Sequence, residues 1–340
     1  MSKILVTGGL GFIGSHTVVE LVNSGYEPVI VDNLANSDIK ILDQLTKIIC
    51  YKPTFHKLDL CDEFAVKKLA ALEPDISGII HFAAYKAVGE SVQHPLKYYR
   101  NNFFSMINLL EAYYGKPLNF VFSSSCTVYG QPDELPVTES APVKTAQSPY
   151  GNTKQIAEEI LQDMIASGSN YKVISLRYFN PVGAHDSALI GELPIGVPQN
   201  LVPFITQTAI GKREKITVFG DDYNTPDGSC VRDYIHVVDL AKAHVAALKL
   251  MEKPDYTGYD VFNIGTGNGT TVLQVIHAFE RTTGVKLNYQ VGPRRGGDVE
   301  QVWGDVTKST QELHWKAELG IDEMMSSAWE WEKYLFENPL

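Results

Sequence analysis

The stretch Val6-Thr7-Gly8-Gly9-Leu10-Gly11-Phe12-Ile13-Gly14 constrains this 340-residue chain more than any other. The run Lys3–Thr7 before it reads as a strand, and the stripe Val18, Leu21 and Val22 after it reads as a helix closed by Ser24-Gly25. Pro28–Asp32 reads as the next strand. Glycines at 8, 11 and 14 let the backbone turn tightly and bring a helix N-terminus against a pyrophosphate. Asp32 stands 18 residues past Gly14, where a carboxylate can accept hydrogen bonds from an adenosine ribose. Its charge also repels the extra phosphate of NADP, so the unit is expected to bind NAD.

The alternation continues. Thr54–Leu58, Ile76–Phe82, Leu118–Phe122 and Tyr171–Leu176 read as strands, with a helix over Asp62–Leu72. Continuous apolar strands separated by helices imply a doubly wound parallel sheet covered on both faces. Ligands of such sheets bind beyond the carboxyl ends of the strands. That rule gathers the glycine turn, Asp32, Asp59, Phe82, Ser123–Ser125 and Asn180 along one rim. From Pro181 to Pro203 glycines and prolines cluster, which suggests irregular binding loops and a boundary. We expect an NAD-binding domain over 1–180 and a smaller α/β substrate lobe over 181–340. Segments near 235–265 are expected to return to the first domain, through a helix at Val238–Leu250 and a strand at Val261–Gly265. Ile216–Phe219 reads as a strand of the lobe and Asp322–Tyr334 as a closing helix.

Tyr150 and Lys154 lie one helical turn apart on one face, above the apolar stripe Ile156, Ile160, Leu161 and Met164. A free phenol has a pKa of about 10, and a nearby cation favours the phenolate, so the pair is one way to build a base near neutrality. Tyr-x3-Lys is common in helices, and its weight comes from the glycine turn that accompanies it. Arg232 and Arg295 could fork onto a diphosphate if the fold brings them together. The formal net charge of −11 argues against nucleic acid or an anionic membrane as the partner. Cys50, Cys61, Cys126 and Cys230 have neither zinc-site nor disulfide spacing. They fit a reducing, cytoplasmic setting, and no metal is expected. No signal peptide is visible, and no apolar run approaches the ~20 residues needed to span a bilayer.

The helix expected over 95–114 carries two apolar stripes: Tyr99, Phe103, Ile107 and Leu110 on one, and Met106, Leu109 and Tyr113 on another. One covers the sheet, so the other suggests a second subunit and a homodimer.

Several stretches together resemble the UDP-glucose 4-epimerase (UDP-galactose 4-epimerase) family of the extended short-chain dehydrogenase/reductase superfamily. They are Val6–His16, Asp32-Asn33, Lys86-Ala87-Val88-Gly89-Glu90-Ser91, Ser123-Ser124-Ser125, Thr127-Val128-Tyr129-Gly130, Pro149-Tyr150-Gly151 with Lys154, Arg177-Tyr178-Phe179-Asn180-Pro181 and Arg232–His236. The resemblance spans essentially the whole chain and implies a Rossmann-type first domain. It implies that Gly8, Gly11, Phe12, Ile13 and Gly14 line the NAD pyrophosphate, and that Asp32, Asn33, Asn36 and Ser37 hold the adenosine ribose. Asp59 and Leu60 would flank the adenine, with Phe82, Ala83, Lys86, Asn101 and Phe179 further along the cofactor. Tyr150 would be the base, Lys154 would bind the nicotinamide ribose and lower the tyrosine pKa, and Ser125 would hydrogen-bond the sugar 4-hydroxyl. Thr127, Asn180, Asn200, Leu201, Val218, Phe219, Arg232, Arg295 and Asp298 would hold the UDP-sugar. The implied activity is reversible C4 epimerisation of UDP-galactose and UDP-glucose through a 4-keto intermediate, with NAD held tightly.

Two other classes fit these residues less well. A nucleotide-sugar 4,6-dehydratase needs an acidic pair after the serine, where this chain has Cys126-Thr127; a non-catalytic NAD-binding sensor would have no need of Ser125, Tyr150 and Lys154 together. The chain departs from the family pattern at Ala84-Tyr85, at Cys126 and at Val302. Val302 stands where glucose-restricted members carry a tyrosine beside the sugar, so N-acetylated UDP-sugars are expected as further substrates.

Overall fold

The computed structural model describes residues 1–295 and 299–340. The first half runs β1 (Lys3–Thr7), α1 (Phe12–Asn23), β2 (Glu27–Asp32), α2 (Lys40–Ile49), β3 (Thr54–Lys57), α3 (Glu63–Leu72), β4 (Ile76–His81), α4 (Val88–Gln93), α5 (Pro95–Ala112), β5 (Leu118–Ser123), α6 (Pro149–Ala166) and β6 (Tyr171–Tyr178). The second runs β7 (Asn180–Val182), α7 (Leu201–Ala209), β8 (Ile216–Phe219), β9 (Val231–Arg232), β10 (Tyr234–His236), α8 (Val237–Met251), β11 (Gly258–Ile264), β12 (Thr270–Thr271), α9 (Val272–Thr283), β13 (Tyr289–Gly292), β14 (Gln301–Val302), α10 (Thr307–Glu312) and α11 (Ile321–Glu337).

Seven strands form one parallel sheet in the order β11-β6-β5-β4-β1-β2-β3. The order turns back between β1 and β4, and the glycine turn after β1 lies at that switch, where open α/β sheets bind ligands. The strands read as unbroken apolar runs because helices cover both faces. One face packs Ile4, Val6, Ile30 and Ile174 with α1 and α8. The other packs Leu5, Val29, Ile79 and Phe120 with α3, α5 and α6. β11 forms one edge of the sheet, pairing Val261 with Ser175. A separate core gathers α7, α9 and α11 around Ile205, Phe279 and Met325, beside the strand pair β13-β8 and the three-stranded sheet β12-β9-β14.

Caps fix the helix starts. The Asp62 side chain accepts from Ala65 N at the start of α3, and Ser148 accepts from Gly151 N at the start of α6, where Pro149 takes the first turn. The periodicity argued above leaves α2 and α9 unassigned and takes the start of α7 as loop. Thr271 and Gln274 form a capping box at α9 that signals that helix locally. On α5, Leu110 is buried with Met106 and Leu109, so it belongs to the sheet-facing stripe and not to the outer one. Tyr99, Phe103 and Ile107 are half-buried and Phe104 is exposed.

Candidate active site

The glycine turn is built for close approach. Gly8 has φ +66°, and a Cβ there would meet Ala83 N at 3.1 Å. A Cβ on Gly14 would lie 2.3 Å from the Gly8 carbonyl oxygen. No side chain caps α1, so the N–H groups at Phe12 and Ile13 face the turn without a side-chain acceptor. Asp32 is buried and accepts from Leu10 N (3.1 Å), Leu34 N (2.9 Å) and Ser37 Oγ (2.8 Å). It therefore ties the glycine turn to the loop carrying Asn33, Asn36 and Ser37. Asn33 and Asn36 are exposed at the rim. This cradle, which a Cβ would fill, fits a dinucleotide.

The remaining expected cofactor residues follow the strand ends. Asp59 accepts from Cys61 N, and the buried Leu60 gives its carbonyl to Asn108. Asn101 donates to the Asn102 side chain at 3.0 Å. The half-buried Phe82 packs on the His244 ring at 4.7 Å between centroids, and Ala83 N donates to Thr7 Oγ1. Phe179 is buried and its N–H donates to Ile264 O.

The residues expected to react meet where β5 ends beside α6. The Lys154 Nζ donates to Ser123 O at 2.6 Å and stands over the Phe122 ring. Ser125 opens a 3-10 turn at Cys126–Tyr129 and accepts from Thr127 N. Thr127 Oγ1 is buried without a hydrogen-bond partner among the described residues, an unanswered hydroxyl of the kind that a sugar hydroxyl can satisfy.

Electrostatics here depart from the expectation. Burial pushes the Tyr150 phenol well above its ordinary value, Tyr178 adds to that, and a hydrogen bond with Ser125 opposes it. Burial also pulls Lys154 down to about 8, while Glu158 works the other way. The chain alone therefore holds Tyr150 protonated, because desolvation outweighs any help from the lysine. Burial pushes the neighbouring Cys126 thiol up to about 12.

On the lobe side, Asn180 begins β7 and its N–H donates to Asp233 O. Arg232 in β9 lies in register with Val302 in β14, and Arg295 stands over the Phe219 ring at 5.5 Å. The two arginines thus sit apart in the lobe, Arg232 on β9 and Arg295 in the loop after β13. Val218 is buried in β8, while Phe219 at its end is exposed. Val302 is buried with Val128, Tyr129, Val137 and Phe179, and Cys126 packs against the same group. Asp298 lies outside the described residues.

Two residues escaped the sequence reading. Glu192 accepts from Asn200 at 2.5 Å and pairs with Lys86 at 3.5 Å, joining an expected substrate residue to an expected cofactor residue across the cleft. Asp233 is buried, with its carboxyl raised to about 6 by that burial. It accepts from Thr266 N, Thr266 Oγ1 and Gly267 N, pinning the loop after β11 beside Arg232. Asp233 sits inside a motif already singled out, whereas nothing local marks Glu192.

Residues 5–328 match a family model described as GDP-mannose 4,6 dehydratase. The chain is 48% identical over 331 residues to a UDP-glucose 4-epimerase of Yersinia pestis, covering 97% of each chain. It is 50% identical over 334 residues to UDP-glucose 4-epimerase 2 of Arabidopsis thaliana, covering 97% of this chain and 94% of that one. A crystal structure of the UDP-glucose 4-epimerase of Stenotrophomonas maltophila, with bound NAD and formylated UDP-arabinopyranose, superposes with a TM-score of 0.95 at 44% identity over 99% of each chain. Within the wider group that the dehydratase model spans, this chain belongs to the UDP-glucose 4-epimerase family of the extended short-chain dehydrogenase/reductases.

Proposed function

We propose that this protein is an NAD-dependent enzyme that interconverts UDP-galactose and UDP-glucose by epimerisation at C4. The observation that carries the reading is the convergence of Ser125, Tyr150 and Lys154 at the end of β5, beside a glycine cradle fitted to a dinucleotide. Bound NAD supplies a reversible hydride acceptor for C4 and a positive charge that favours the Tyr150 phenolate. In this reading Gly8, Gly11, Phe12, Ile13 and Gly14 hold the pyrophosphate and Asp32, with Asn33, Asn36 and Ser37, the ribose. Tyr150 takes the proton from the sugar 4-hydroxyl and returns it to the 4-keto intermediate, as general base and then general acid. Ser125 orients that hydroxyl. Lys154 holds a buried cation beside the base.

Epimerisation requires that the 4-keto sugar present its other face before the hydride returns. Asn180, Asn200, Leu201, Phe219, Arg232 and Arg295 would clamp the UDP part while the sugar turns. Cys126-Thr127 offers no carboxylate for dehydration, which favours epimerisation over a 4,6-dehydratase reaction.

We further propose a division into an NAD-binding domain over 1–180 and a substrate lobe over 181–340, with α8 and β11 lent back to the first. A homodimer is supported by the half-buried row Tyr99, Phe103 and Ile107 on α5 beside Ile156, Ile160 and Met164 on α6. A cytoplasmic setting is supported by four free cysteines, and no helix among the described residues is long and apolar enough to cross a membrane. UDP-GlcNAc and UDP-GalNAc are proposed as a second substrate pair because valine at 302 lacks the ring that would oppose an acetamido group.

The test is to incubate purified protein with UDP-galactose and no added NAD. UDP-glucose should appear; its absence from a protein shown to contain NAD would refute the reading.

A further inference from the structure

Resting on the epimerase reading, this inference concerns a buried network behind the reacting groups. Three consecutive serines end β5 and address three residues of α6 spaced one turn apart. The Ser123 carbonyl takes Lys154 (2.6 Å), the Ser124 hydroxyl donates to Glu158 Oε1 (2.5 Å), and Ser125 lies near enough to the Tyr150 phenol to favour its ionised form. Positions 150, 154 and 158 share one helix face, so the serines and the helix can engage in only one register.

Glu158 and Arg177 are 3% and 5% exposed, too deep for surface roles. The guanidinium grips both carboxylate oxygens: Nε at 3.1 and 3.2 Å, Nη2 to Oε2 at 2.6 Å. Its Nη1 donates to Tyr129 OH (3.0 Å) and Glu139 O (3.3 Å). Tyr129 OH donates to Asn263 Oδ1 (2.7 Å), Asn263 Nδ2 donates to Val137 O (2.9 Å), and Val137 N donates to the carbonyl of Trp303, next to Val302. Every link from α6 to the sugar-side wall is thus a satisfied hydrogen bond. Such a network specifies a single arrangement of its members.

We propose that Glu158, held by Arg177, is a positioning residue for epimerisation: through Ser124 it sets Ser125 against Tyr150, one face of α6 carrying Tyr150, Lys154 and Glu158 together. The charged and titratable groups facing Glu158 are Arg177 on β6, Tyr129 in the 3-10 turn, Tyr259 on β11 and Lys154 on its own helix; His81 on β4 faces Lys154. Arg177 is already matched to Glu158. Loss of the Glu158 charge therefore removes the carboxylate that favours the Lys154 cation and leaves the buried Arg177 without its ion-pair partner.

The experiment compares full-length, NAD-loaded wild type, Ser124→Ala and Glu158→Gln for epimerisation of UDP-galactose across pH. Wild-type turnover tests the epimerase reading itself, so its failure is distinguishable from failure of the variants. Ser124→Ala removes one tie and leaves the ion pair. It should keep its NAD content, its Tm and a KM within about twofold, while kcat falls roughly tenfold or more through misplacement of Ser125. Glu158→Gln should lose more kcat, and its activity should fall away at lower pH on the alkaline side than in wild type, because an uncompensated Lys154 gives up its proton sooner. If Glu158→Gln does not fold, Ser124→Ala decides. Wild-type kcat in folded Ser124→Ala, an unmoved pH profile in folded Glu158→Gln, or loss of fold or cofactor in Ser124→Ala overturns the proposal.

Discussion

The Lys154 ammonium and the Ser123 carbonyl oxygen stand 2.6 Å apart, so the buried cation of α6 is fastened to the end of β5. That bond fixes the height of the helix over the strand, and with it the place of Tyr150 one turn earlier. The cation is thus engaged by a backbone carbonyl.

Replacing Tyr150 by Phe removes the proton acceptor and keeps the ring. The variant should fold and retain NAD, with kcat lower by at least about 10²-fold, as is typical when a general base is lost. Steady-state turnover of UDP-galactose measures it, and near-wild-type kcat would contradict the assignment.

Lys154→Met should separate stability from activity. Burial lowers Lys154 from 10.5 to about 8, so below pH 8 the fold carries a cation it holds less well than the unfolded chain does. That cost fades as pH rises from about 8 to 10.5. It amounts to about 3 kcal/mol, against about 2 kcal/mol for the lost hydrogen bond from the charged Lys154 to Ser123. The variant should therefore be about 1 kcal/mol more stable than wild type at pH 7. Denaturant unfolding at pH 7 and 10.5 should show that advantage shrinking at the higher pH, with kcat reduced throughout. A destabilised variant at pH 7 would contradict the account.

The contrast between what sequence reading reaches and what it misses has a physical basis. Periodic apolar runs place β1, β2 and α1, and glycines at 8, 11 and 14 identify the turn because steric exclusion leaves few other residues there. The return of β11 to the sheet is also legible, since Val261–Ile264 is too apolar for a surface. The sign of the Tyr150 shift is not, because it depends on burial by the folded chain and on the charge interaction with Tyr178, 28 residues away in sequence. Glu192 and the Glu158–Arg177 pair are invisible for the same reason: their meaning lies in partners that only the fold supplies. The Leu110 misassignment arises because two stripes on one helix overlap by a single position.

The half-buried apolar row on α5 and α6 predicts a homodimer. Light scattering at micromolar protein should give twice the 37.7 kDa chain mass, and Phe103→Glu should lower it toward the monomer by placing a charge in the shared face. A wild-type mass near 37.7 kDa would refute the dimer.

Val302, proposed to set specificity for the sugar 2-position, lies in register with Arg232 and packs with Val128 and Phe179. Wild type should turn over both UDP-GalNAc and UDP-galactose. Val302→Tyr should lose kcat/KM for the N-acetylated pair by roughly tenfold or more, since a buried clash in a packed wall costs about 1–3 kcal/mol. Undiminished UDP-GalNAc turnover in the variant, or none in wild type, would show that neighbouring side chains and not residue 302 set the wall.

The central claim is that the hydrogen on C4 leaves and returns within one closed site, while Tyr150 handles only the hydroxyl proton. The most direct measurement uses UDP-galactose carrying deuterium at C4 in ordinary water, with the product analysed by NMR. The account predicts UDP-glucose that retains the deuterium at C4. Product with protium at C4, washed in from solvent, would contradict it.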